Sequence, residues 1–172
     1  MLPDNFFNQL MKNEGIYSDD KADSGGQTIY GISRNNFSSA FDSIMQSYQN
    51  GNIEEAKQKA KTFYEVKFWN PLYDQINKSD VAFRLFDFGV NSGKNNAIKL
   101  LQETLNNHFG NALVEDGIFG MKSLLAINAA DDNLYDFYNS RIESFYNNLV
   151  LNNPNDEKFL QGWLNRLEKL PT

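Results

Sequence analysis

Cysteine is absent from the 172 residues, and histidine occurs once, as His108. Without cysteine there is no disulfide framework, thiolate zinc site, iron–sulfur cluster or cysteine nucleophile. One histidine is too little for a multi-histidine metal centre, and a Ser-His-Asp triad would have to be built around it alone. No metal and no organic cofactor are therefore expected. Positive charge is also scarce: 16 lysines and arginines face 22 acidic residues, for a net charge of −6. Nucleic-acid binding needs a concentrated basic face, so no nucleic-acid partner is expected. No run approaches the roughly 20 apolar residues that span a bilayer, which excludes stable membrane insertion by a helix. The opening Met1-Leu2-Pro3-Asp4-Asn5-Phe6-Phe7 lacks the basic, apolar and small-residue regions of a signal peptide. Synthesis and residence in the cytoplasm are the expectation.

What is present suits a globular core. Hydrophobic residues make up 41% of the chain, including 2 Trp, 8 Tyr and 14 Phe, which argues against disorder. Most of the sequence repeats at a period near 3.6. Helices are predicted at about 4–15, from a cap at Ser33 through Tyr48, at 53–69, 79–90, 94–108, 121–129, 133–151 and 156–169. Residues 16–32 break the pattern with Asp23-Ser24-Gly25-Gly26 and then Thr28-Ile29-Tyr30-Gly31-Ile32, which predicts turns and a short hairpin. The expected fold is mainly α, an α+β helical bundle with one small N-terminal β-hairpin.

That hairpin region is the segment least explained by packing. Glu14 falls at the C-terminal end of the first helix, where the dipole disfavours negative charge. A carboxyl group so placed, if partly buried among aromatic rings, is suited to act as a general acid. Asp23 follows nine residues later beside two glycines that permit close backbone approach, and Thr28 offers a hydroxyl to orient water. An acid, a second carboxylate and a water-orienting hydroxyl are the parts needed to hydrolyse a glycosidic bond. The same residues also read as a solvated helix end, a turn cap and an ordinary strand position, and spacing alone leaves both readings open.

Glu14-Gly15-Ile16-Tyr17, then Asp23-Ser24-Gly25-Gly26-Gln27-Thr28 and Gly31-Ile32, resembles the N-terminal signature of glycoside hydrolase family 108, with Ile16 where the family usually has a second glycine. Leu85-Phe86-Asp87-Phe88-Gly89-Val90-Asn91-Ser92-Gly93 is similar to the family's F-D-x-x-V-N-S-G stretch, and Ala97 to Gln102 to its A-x-x-L-L-Q helix. Asp116-Gly117-Ile118-Phe119-Gly120 and Gly162-Trp163-Leu164-Asn165-Arg166 resemble the turn and the terminus of the peptidoglycan-binding module that follows. The resemblance implies a lysozyme-like catalytic segment over residues 1–93 and a helical module over 94–172, packed as one compact unit. It implies an N-acetylmuramidase acting on peptidoglycan glycan strands, with Glu14 as the catalytic acid, aided by Asp23 and Thr28. Gly25, Gly26, Gln27 and Tyr30 would line the substrate cleft, with Asp87 and Asn91 one helical turn apart on a shared face. Asp87 and Asn91 read equally well as structural, and Trp163 reads better as core than as a sugar platform.

Two other readings stay open: a lytic transglycosylase, which needs no activated water, and a non-catalytic wall-binding or secretion-helper protein on the same fold. A monomeric phage endolysin, released to the wall by a holin or a secretion machine, is the reading most consistent with a wall target and no export signal.

Overall fold

The computed structural model describes residues 1–18 and 26–170. Among these residues are eight α-helices, two short 3-10 turns and one small antiparallel sheet, so the fold is mainly α. The chain divides into two compact units, Met1–Trp69 and Asn70–Pro171.

In the first unit, α1 (Asp4–Glu14) carries an acidic residue in its first turn and Lys12 in its last, matching the helix dipole. It buries Phe6, Phe7 and Leu10, and burial of each such side chain contributes about 1.5–3 kcal/mol. Gly15, at φ 75°, ends the helix in a conformation that favours glycine. The sheet follows as β1 (Tyr17–Ser18), β2 (Thr28–Ile29) and β3 (Ile32–Ser33), in the order β1-β2-β3. The expected hairpin is β2-β3, and β1 adds a third strand to it. Ser33 does not cap a helix. Its pairing with Thr28 draws it into β3, and α2 begins only at Ser38, running to Gln49. The antiparallel pair α2 and α3 (Ile53–Phe68) packs together and closes the unit, with Tyr64 of α3 buried beside Phe7 at 6.2 Å between ring centres.

In the second unit, a 3-10 turn at Pro71–Gln75 starts after Asn70, whose side chain accepts from the Leu72 amide. Helix α4 (Ser79–Ser92) is buried at nine successive positions, Val81 to Gly89, as a helix surrounded by others must be. Helices α5 (Lys94–Phe109) and α7 (Leu134–Asn152) pack on it and on each other, α6 (Met121–Ala129) packs on α5, and α8 (Glu157–Leu167) packs on α7. No helix among the described residues is long and apolar enough to cross a membrane.

Candidate active site

The β2-β3 connection is a two-residue turn, Tyr30-Gly31, with Ile29 paired to Ile32 on either side. Both turn residues have positive φ, 51° and 75°, the requirement of a type I′ hairpin. Glycine adopts that conformation freely, whereas tyrosine is strained there. Tyr30 is the one non-glycine residue with positive φ among the described residues. Two hydrogen bonds hold it: its amide donates to the Ile16 carbonyl at 2.6 Å, and its carbonyl accepts from the Tyr64 hydroxyl at 2.8 Å. Its ring is buried, and desolvation raises the pKa of its hydroxyl.

Glu14 meets this turn directly. It is half-buried at the end of α1. A Cβ placed on Gly31 would stand 2.8 Å from Tyr64 Oη and 2.9 Å from both Cγ and Oε2 of Glu14. The carboxylate and the tyrosine hydroxyl thus converge on the space that the missing side chain leaves. Glycine at 31 is required twice, by the turn and by the acid.

Thr28 is half-buried in β2, opposite Ser18 of β1 and Ser33 of β3. Directly paired residues share a sheet face, so the three hydroxyl-bearing residues form a row across it. Gln27, half-buried, accepts from Arg34 Nη1 at 3.0 Å and donates to the Tyr17 hydroxyl at 3.4 Å. Arg34 also pairs with Asp42 at 3.2 Å. Tyr17, Gln27, Arg34 and Asp42 line a depression of ≈ 260 Å³ between the sheet and α2, which Thr28 does not border. Gly26 has φ 64°, and the Asn35 amide lies 3.0 Å from where its Cβ would be. Asp23 and Gly25 lie outside the described residues. The roomier groove of this unit, ≈ 610 Å³ between α2 and α3, is lined by Phe37, Ile44, Phe63 and Val66 and holds none of the expected site residues.

Asp87 and Asn91 belong to the second unit. Asp87 is 1% exposed and its carboxylate is held by two guanidinium groups, Arg84 at 3.3 Å and Arg166 at 2.9 Å. Arg84, fully buried, also donates to the carbonyls of Arg166, Leu167 and Lys169 at the end of α8, and to the Tyr135 hydroxyl. Asn91 is exposed, and its amide donates to the Tyr146 hydroxyl at 2.6 Å. Tyr146 in turn stacks on Trp163, with ring centres 5.1 Å apart. The Asp116-Gly117 turn is fastened to α5 by Gln102, which donates to Asp116 at 3.1 Å and to the Ile118 carbonyl, and accepts from the Gly117 amide at 2.9 Å. Those bonds account for the turn as architecture. His108 stacks on Phe137 at 4.1 Å. No group of three or more carboxylate or imidazole side chains among the described residues could hold a metal ion.

The sequence reading missed Tyr64 and Arg84. Tyr64 occupies one of the regular apolar positions of α3 and carries no local mark of its role. Arg84 did leave a signal, a lone cation within the apolar run Val81-Ala82-Phe83-Arg84-Leu85-Phe86.

Residues 7–93 match the family model described as Glycosyl hydrolase 108. The chain belongs to the glycosyl hydrolase 108 family. Residues 96–168 match a second model, described as Predicted Peptidoglycan domain. The hydrolase match therefore runs through α4, which lies within the second compact unit. The fold resembles that of a solved structure titled "Structure of Brucella abortus SagA", with a TM-score of 0.66 and 24% identity over 94% of this chain and 86% of that one. Comparison with curated proteins gives no match. A family 108 glycosyl hydrolase joined to a predicted peptidoglycan domain is a glycoside hydrolase whose partner is peptidoglycan.

Proposed function

We propose that this family 108 hydrolase is an N-acetylmuramidase, cleaving the β-1,4 bond between N-acetylmuramic acid and N-acetylglucosamine. Glu14 protonates the departing glycosidic oxygen. Asp23 and Thr28 take the water side, the carboxylate as base and the hydroxyl as its orienting partner. Water then adds to the anomeric carbon as the leaving hydroxyl departs with the proton from Glu14, and the course is inverting. Gly25, Gly26, Gln27 and Tyr30 shape the sugar-facing surface, and the exposed Asn91 amide offers a hydrogen bond to sugar hydroxyls. Asp87 serves from within the helical core rather than at the substrate. Residues 1–93 form the catalytic segment and 94–172 the wall-recognition module. Release to the wall by a holin or secretion machine, as for an endolysin, completes the reading.

The observation that carries the proposal is the seating of the Glu14 carboxylate against the Gly31 turn, in the same small sheet that holds Thr28. Product analysis tests it. Digestion of purified peptidoglycan should release fragments ending in reducing N-acetylmuramic acid. Fragments ending in 1,6-anhydromuramic acid would assign a lytic transglycosylase instead, and binding without release of soluble sugar would assign a non-catalytic wall binder.

A further inference from the structure

We infer that Tyr64 is a positioning residue for the Glu14 acid, acting through its hydroxyl on the Tyr30-Gly31 turn; the inference rests on Glu14 being that acid. Tyr64 sits towards the C-terminal end of α3, 2% exposed, with its ring against Phe7, Phe63 and Phe68. Packing alone would be satisfied by phenylalanine. The hydroxyl instead reaches out of this aromatic cluster and donates to the Tyr30 carbonyl at 2.8 Å. That carbonyl belongs to the strained residue of the turn, at φ 51°. Tyr64 Oη and Glu14 Oε2 both lie within 2.9 Å of the point where a Gly31 Cβ would stand.

Three elements therefore meet at one spot: the end of α1, the β2-β3 turn and the face of α3. The α1 end supplies the acid. The turn supplies the floor on which its carboxylate rests. The hydroxyl from α3 fixes the turn in a conformation that a non-glycine residue does not adopt without support. Loss of that hydroxyl frees the Tyr30 carbonyl, lets the turn relax and lets the carboxylate wander from the glycosidic oxygen. Small displacements of a catalytic group cost rate more than binding.

The variant Tyr64→Phe removes one oxygen and keeps the ring. Its kcat on soluble glycan strands should fall roughly tenfold or more with KM within about twofold, measured well below its melting temperature. A structural defect could also lower kcat, so a second substrate separates the two. An aryl β-glycoside with a strongly acidic phenol departs without needing a proton, so a displaced acid matters little for it. Tyr64→Phe should retain most of the wild-type rate on that substrate. Gly31→Ala, which pushes on the carboxylate from the other side, should show the same pattern. Equal losses on both substrates, or wild-type kcat on glycan strands, would overturn the inference. Glu14→Gln is run beside them: if it is fully active, the assignment of the acid fails, whereas an inactive Glu14→Gln with an unimpaired Tyr64→Phe sinks only the role of Tyr64.

Discussion

Glu14 and Asp87 are both carboxylates on helices, yet the two compact units treat them differently. In Met1–Trp69, Glu14 is half-buried at a helix end, with its carboxylate against a glycine turn. In Asn70–Pro171, Asp87 is sealed between Arg84 and Arg166, and Arg84 also gathers the last carbonyls of α8. A carboxylate that must exchange a proton with substrate needs an open face. One that is matched by two guanidinium groups contributes to architecture and is removed from chemistry. The first unit holds backbone strain beside its carboxylate, and the second holds its carboxylate between two guanidinium groups. The contrast is between a carboxylate set at a strained turn and one locked into a helical core.

The largest effect should come from the second unit. Arg84→Met leaves Asp87 buried with one partner and removes a guanidinium donor from three carbonyls, so it should cost about 3–5 kcal/mol in denaturant titration. A loss under about 1 kcal/mol would mean that the network is not sealed as described. Gly31→Ala should show the converse balance. Forcing alanine into positive φ costs about 1–2 kcal/mol, while activity on glycan strands should drop far more than that loss of stability explains. Loss of stability with full activity would break the comparison. Gln102→Leu leaves the Gly117 amide without its side-chain acceptor and should cost about 1–3 kcal/mol, read as a lowered midpoint with catalysis by the remaining folded protein intact.

The smallest effect concerns acid. The Ile118 amide, and then Gln102, hold the Asp116 carboxyl below its ordinary value of 3.8. A depressed carboxyl stabilises the fold above its unfolded-state value and loses that contribution as pH falls through the folded one. Stability of the wild type should therefore decline below about pH 4, and Asp116→Asn should make that decline shallower. An unchanged slope would show that the turn is held by Gln102 alone.

The eight helices were legible because their apolar residues recur at 3.6 and their ends carry ordinary stops such as Gly15 and Gly93. The third strand and the late start of α2 were not, because Tyr17-Ser18 is too short to alternate and Ser33 serves a strand as readily as a cap. Glu14 could be singled out as a candidate by its awkward place at a helix end. Tyr64 could not, since a buried tyrosine at a core position looks like any aromatic until the turn it reaches is seen. Asp87 and Asn91 share a helical face in sequence, and spacing cannot say that one is capped by arginines from two helices while the other faces solvent.

If Glu14 supplies the proton for glycosidic cleavage, Glu14→Gln should stop the reaction, because the amide keeps the shape of the side chain and removes the acid. Clearing of a purified peptidoglycan suspension should be abolished, with a melting transition close to that of the wild type. Full clearing by Glu14→Gln would contradict the account.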